Sequence, residues 1–148
     1  MIAIILVAGG VYYVIKKSSN SDIKSFIVEP PALENEITRQ EVMKDASEKI
    51  SEISPVKPVL GGNWFVTRFW FVQGSDKDFY IEYEDGHILR QILVEAKKDN
   101  GKINYKVIAY FEPGQTTWQL KTGEDKFFGH LLDLYEHSEE IGEWLKKN

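Results

Sequence analysis

The stretch Phe79-Tyr-Ile-Glu-Tyr-Glu-Asp-Gly-His-Ile-Leu-Arg-Gln-Ile-Leu-Val94 decides the fold. Two runs rich in aromatic and β-branched residues flank Asp85-Gly86. Asp-Gly between such runs is a strong hairpin signal, because a type I′ turn needs positive φ at both central positions. Asn100-Gly101 repeats the signal between His87–Glu95 and Ile103–Phe111. Upstream, Trp64–Val72 is apolar on both alternating sets, as befits a strand covered on both faces. Pro113-Gly114 and Trp118-Gln-Leu-Lys121 add a further turn and a short final strand. The centre of the chain therefore reads as an antiparallel meander of four to five strands.

The register follows from the turns. Two residues at Asn100-Gly101 pair Asp99 with Lys102, Glu95 with Lys106, Val94 with Val107 and Ile92 with Ala109, so opposite charges and apolar groups meet. Two residues at Asp85-Gly86 pair Tyr83 with Ile88, Ile81 with Arg90 and Phe79 with Ile92. One face then carries Phe79, Ile81, Tyr83, Ile88, Ile92, Val94, Tyr105, Val107, Ala109 and Phe111. Arg90 is its one charged member. A guanidinium in that face needs a carboxylate or an anionic ligand, since an unpaired buried charge costs ~3–5 kcal/mol. Arg90, with Tyr83 and Tyr105, is the candidate ligand-binding set. A three-residue loop would instead shift the register by one and set Arg90 near Glu82 on the outer face, as a surface pair worth ~0–1 kcal/mol.

Helices are expected on both sides of the meander. Thr38-Arg-Gln-Glu41 is a capping box, with Ile37 and Val42 as its hydrophobic staple. Met43, Ala46, Ile50 and Ile53 then mark one apolar face, and Ser54-Pro55 stops the helix. At the other end, Thr122-Gly-Glu-Asp125 resembles a second capping box. Phe127, Phe128, Leu131, Leu134, Tyr135, Ile141, Trp144 and Leu145 suggest a C-terminal helix, weakened at Gly142. On such a helix His130, Asp133 and His137 share a face, which makes them a weak candidate metal site.

The N-terminus reads as a membrane anchor. Residues 2–15 carry no charge, Tyr12-Tyr13 suit a headgroup belt, and Lys16-Lys17 can snorkel. Fifteen helical residues span ~22 Å against a ~30 Å hydrocarbon core, so we expect a start further upstream or a locally thinned bilayer. The expected organisation is an anchor over 1–17, a linker over 18–36 and a soluble α+β domain over 37–148. Ser18–Asp22 is a polar tether, and Pro30-Pro31 stiffens the chain. An anchor followed by a linker places the domain on the extracytoplasmic face of a cell membrane. The lysines after the span argue the opposite by the positive-inside rule.

Composition narrows the function classes. With 43% apolar and 13% aromatic residues, the chain can bury a core. Beyond residue 20 it carries 16 basic against 23 acidic residues, which argues against a nucleic-acid partner. It has no cysteine, so disulfides and thiolate chemistry are excluded. No phosphate loop, nucleophile elbow, His-Glu-x-x-His or EF-hand motif is present, and no cofactor is expected.

The order helix, antiparallel meander, helix resembles the cystatin-like/NTF2-like class of α+β folds, where a helix packs in the curve of a sheet. The Thr38 helix is expected to cover the Arg90 face, and the Phe127 helix part of the other face or the sheet's end. Two functions are compatible with this arrangement. One is a membrane-tethered, non-enzymatic interaction module with a protein partner. The other is a small-molecule-binding domain, or an enzyme, with a pocket between sheet and helix containing Arg90.

Overall fold

The computed structural model describes residues 3–8, 11–16, 24–28, 36–59 and 61–147, the first three segments as backbone only. The chain divides into two units, Met1–Glu34 and Asn35–Asn148.

The first unit corrects the expected anchor. Ala3–Ala8 (β1), Val11–Lys16 (β2) and Lys24–Val28 (β3) form an antiparallel sheet in the order β1-β2-β3. Ala8 pairs with Val11 and Ala3 with Lys16. Among the described residues no helix is long and apolar enough to cross a membrane. The physical reason is in the composition. Two runs dominated by Ile, Val and Tyr flank Gly9-Gly10, and β-branched and aromatic residues flanking such a pair favour a hairpin over a helix. The tether at 18–22 and Pro30-Pro31 lie outside the described residues.

In the second unit the first helix forms as its signals dictate. α1 runs Arg39–Ile53. Thr38 Oγ1 accepts from Glu41 N–H, and the Glu41 carboxylate accepts from Thr38 N–H at 3.0 Å. Val42, Met43, Ala46 and Ile50 are buried, and Ile37 and Ile53 pack against the same core.

Seven strands follow: β4 (Phe65–Val72), β5 (Asp78–Glu84), β6 (Leu89–Asp99), β7 (Lys102–Pro113), β8 (Trp118–Gly123), β9 (Leu132–Ser138) and β10 (Glu143–Lys146). They make one antiparallel sheet in the order β10-β9-β4-β5-β6-β7-β8. This overturns the expected C-terminal helix and, with it, the helix–meander–helix order on which the cystatin-like/NTF2-like resemblance rests. Only one helix is present among the described residues. The cause is the outer edge of β4. Its apolar residues Phe69–Val72 would leave a row of backbone groups unpaired, and β9 supplies partners from Arg68↔Glu136 to Val72↔Leu132. Gly129 and Gly142, at φ 79° and 69°, sit in the turns before β9 and β10 and break any helical run.

Register sorts the residues onto two faces. Glu84 pairs with Leu89, so the Asp85–Ile88 loop has four residues. Arg90 therefore pairs with Tyr83, and Ile92 with Ile81. Compared with a two-residue turn the shift is two, an even number, so Arg90 stays on the helix face. At the next hairpin Asn100 and Gly101 both have positive φ, and Asp99↔Lys102, Glu95↔Lys106 and Val94↔Val107 pair as the sequence predicts. Beyond that point Leu93 pairs with Ala109, leaving Ile108 as an extra residue. This bulge swaps the faces of everything that follows it in β7. Tyr110 joins the helix-side core, whereas Ala109 and Phe111 move to the opposite face.

Directly beneath α1 the sheet is filled, while beside α1 a cleft of about 970 Å³ is lined by Gln40, Lys44, Phe65, Thr67, His137 and Trp144. Phe69, Phe71, Phe79, Ile81, Tyr83, Ile92 and Val94 are fully buried beneath α1. A second, smaller cluster of Tyr80, Leu93, Ala109 and Phe111 lies on the other face. There the segment 124–131 covers it in part, as a loop and not as a helix.

Candidate functional site

The open face of the sheet carries a groove of about 340 Å³. Its floor is built by alternation: Trp70 from β4, Tyr80 and Glu82 from β5, Gln91 from β6, Phe111 from β7. Trp118 at the start of β8 and Asp125, Phe127 and His130 of the 124–131 loop form its walls. The Ile108 bulge is what delivers Phe111 to this floor. Gly123 is what lets the chain leave β8 for the wall. At φ 83° its missing Cβ would fall 2.0 Å from the Ile108 carbonyl oxygen.

Polar groups are held among the rings. Glu82 is only 5% exposed. Its Oε1 accepts from Trp70 Nε1 at 2.7 Å and its Oε2 from Arg68 Nη1 at 3.3 Å. Tyr80 donates its hydroxyl to Asp125 Oδ1. Burial, reinforced by this carboxylate, pushes the Tyr80 phenol well above its ordinary range. His130 stacks edge-on to Phe127 with centroids 5.4 Å apart. At the rim Phe128 and Leu131 are 87% and 73% exposed.

None of the residues singled out from sequence as ligand-binding lines this groove. Arg90 lies on the helix face near the end of the sheet. Its Nη1 donates to the Leu89 carbonyl at 2.9 Å, and its Nη2 is 3.7 Å from Glu112 Oε1. Its Nε is buried without a partner among the described residues. Glu112 also accepts from the Tyr110 hydroxyl at 2.9 Å. That bond, with Arg90 and Lys121 nearby, holds its carboxyl below the usual range against the opposing effect of burial. Tyr110 itself is pushed up to about 12 by burial and by Glu112. Tyr83 is fully buried, edge-on to Trp64 at 4.9 Å, with its hydroxyl 2.9 Å from Ser54 Oγ. Tyr105 donates to Asp45 at 2.8 Å. Both tyrosine hydroxyls thus serve the packing of α1 on the sheet.

The weak metal candidate fails because its helix is a strand. Asp133 and His137 lie about 13 Å apart along β9 at four strand residues. Asp133 is occupied by Arg39 Nη1 at 2.7 Å, Lys146 Nζ at 3.0 Å and Gln73 Nε2 at 3.1 Å. His137 stacks against Trp144, and His130 belongs to the groove on the open face. Among the described residues no three His, Cys, Asp or Glu side chains are grouped to hold a metal ion.

Sequence reasoning missed the groove for two reasons: the 124–131 segment that walls it was expected to be part of a helix covering this face, and Phe111 reaches its floor only through the bulge. The available signal was strand alternation, which sets Tyr80, Glu82 and Gln91 opposite the face of Phe79, Ile81 and Tyr83.

No protein-family model, curated protein or solved structure matches this chain. Its class is set by its own geometry: a seven-stranded antiparallel sheet, one face packed by a single helix, the other bearing an open aromatic groove.

Proposed function

We propose that the domain is a non-enzymatic interaction module whose open sheet face receives a segment of a protein partner. The observation that carries this is the aromatic groove with Phe128 and Leu131 standing exposed beside it. Large apolar side chains grouped around a groove are costly to leave in water and mark contact surfaces. The groove is open along the sheet, which suits an extended segment better than an enclosed small molecule, whose sites bury most of the ligand. Directly beneath α1 the sheet is filled by Tyr83, Phe69 and Ile92, and the cleft beside α1 is lined mostly by polar and charged residues, without the grouped rings of the open face. The most buried acids are engaged internally. Glu82 binds Trp70 and Arg68, Asp133 binds Arg39 and Lys146, and Asp85 accepts from the Val59, His87 and Ile88 amides.

The test is selection of displayed random peptides on the full chain, followed by affinity measurement against Trp118→Ala and Phe128→Ser. Binders weakened about tenfold or more by these substitutions are expected, the usual scale of an interface aromatic. Binders indifferent to both substitutions, or no binders at all, overturn the proposal.

A further inference from the structure

The groove is uneven in charge. Two carboxylates, Glu82 and Asp125, line it, and no lysine or arginine does. The nearest loop lysine, Lys126, is not in the lining: its Nζ lies 4.0 and 3.8 Å from Asp78 and Glu95 and 5.1 Å from the centre of the Phe127 ring. Arg68 reaches Glu82 from the sheet surface and is not part of the lining.

Two groups in the groove have unused hydrogen-bonding capacity. Asp125 spends Oδ1 on the Tyr80 hydroxyl, which leaves Oδ2 free to accept. Gln91 is only 7% exposed, sits beside Glu82 in the sheet register, and makes no side-chain hydrogen bond to another described residue. Gln91 lines the groove, and its amide keeps contact with solvent.

We infer that the groove takes an arginine side chain of the protein partner, an inference that rests on the interaction reading above. A guanidinium fits the chemistry in three ways. Its flat face stacks on indole rings such as Trp118 and Trp70. Its fork of N–H donors suits the free Asp125 oxygen and the Gln91 carbonyl together. Its charge answers Asp125, the lining carboxylate that has no cationic partner among the described residues, Glu82 being paired with Arg68.

The probe is N-acetyl-arginine N-methylamide, titrated into the isotope-labelled full chain and followed by backbone amide shifts over Asp125–His130. The citrulline counterpart, of nearly the same shape but uncharged, serves as its control. Arginine should bind about tenfold more tightly than citrulline, the scale of one desolvated cation–ring contact. Asp125→Asn should cut that preference to about threefold or less. The citrulline comparison uses the unaltered chain, so it stands even where Asp125→Asn fails to fold. Equal binding of the two probes, or shifts confined to other parts of the domain, overturns the inference. Displayed peptides that bind the groove without arginine overturn it too, while leaving the interaction module intact. The absence of groove-binding peptides refutes the module itself.

Discussion

Replacing Arg39 with methionine keeps most of the aliphatic stem and removes one guanidinium that joins three elements. From the first residue of α1, Arg39 Nε reaches Asp76 at 2.8 Å, Nη1 reaches Asp133 at 2.7 Å and the Tyr135 hydroxyl at 3.3 Å, and Nη2 donates to the Ser75 carbonyl at 3.0 Å. The cation also lies 4.9 Å from the Phe71 ring centre. The loss falls hardest on Asp133, which is 9% exposed. Removing one partner of a buried pair costs ~3–5 kcal/mol, but Lys146 stays with Asp133, so we expect ~2–3 kcal/mol. For a domain of this size that corresponds to about 10 °C in melting temperature. Urea unfolding at pH 7 should show a lower midpoint at an unchanged slope. The pH dependence provides a second check. Arg39 and then Lys146 hold the Asp133 carboxyl below its usual range, against burial. A depressed folded pKa gives stability that is present above the unfolded value, near ~3.9, and lost as pH falls through the folded one. The gap between the native chain and Arg39→Met should therefore narrow below about pH 4. Asp133→Asn combined with Arg39→Met should fall short of additivity by ~1 kcal/mol or more. A loss under ~0.5 kcal/mol at pH 7, or strict additivity, refutes the reasoning.

Other substitutions probe other parts of the sheet. Gly123→Ala should cost ~2 kcal/mol or more, from positive φ and from the clash with the Ile108 carbonyl, read as a drop in urea midpoint. Trp144→Ala should cost ~3–5 kcal/mol, since the ring is buried edge-on to Phe69 at 4.7 Å. A loss below ~1 kcal/mol would remove β10 from the fold. Burial raises Tyr80, Tyr83, Tyr105 and Tyr110 above the ordinary phenol value. Their contribution is present below about pH 10 and lost as pH rises through the folded values, so their 295 nm ionisation should coincide with loss of circular dichroism.

Much of the domain was legible in its sequence because its signals are local. The Thr38–Glu41 box, the Met43–Ile53 stripe and the Asn100-Gly101 turn each act within a few residues. The Arg90 side of the sheet was legible for a subtler reason. The Asp85–Ile88 loop is longer than a two-residue turn by an even number, and an even slip preserves the face. What failed depended on non-local partners. Leu131, Leu134 and Tyr135 fit a helical stripe, yet the unpaired edge of β4 claims Leu132–Ser138 as a strand. No local pattern announces the Ile108 bulge, and without it Phe111 is assigned to the wrong face. The groove was hidden by that reassignment and by the expectation that 124–131, which walls it, would be helical. At the N-terminus, hydrophobicity alone suggested a span, while β-branching around Gly9-Gly10 carried the stronger information.

The four tryptophans provide the most direct test of the interaction face. Trp70 and Trp118 line the open groove, whereas Trp64 and Trp144 belong to the helix-side core. In the labelled full chain each gives one indole N–H resonance, recorded as a selected peptide is added. Trp70 and Trp118 should move in step with binding while Trp64 and Trp144 hold still. Movement of Trp64 and Trp144 with Trp70 and Trp118 unchanged would contradict the groove as the interaction face.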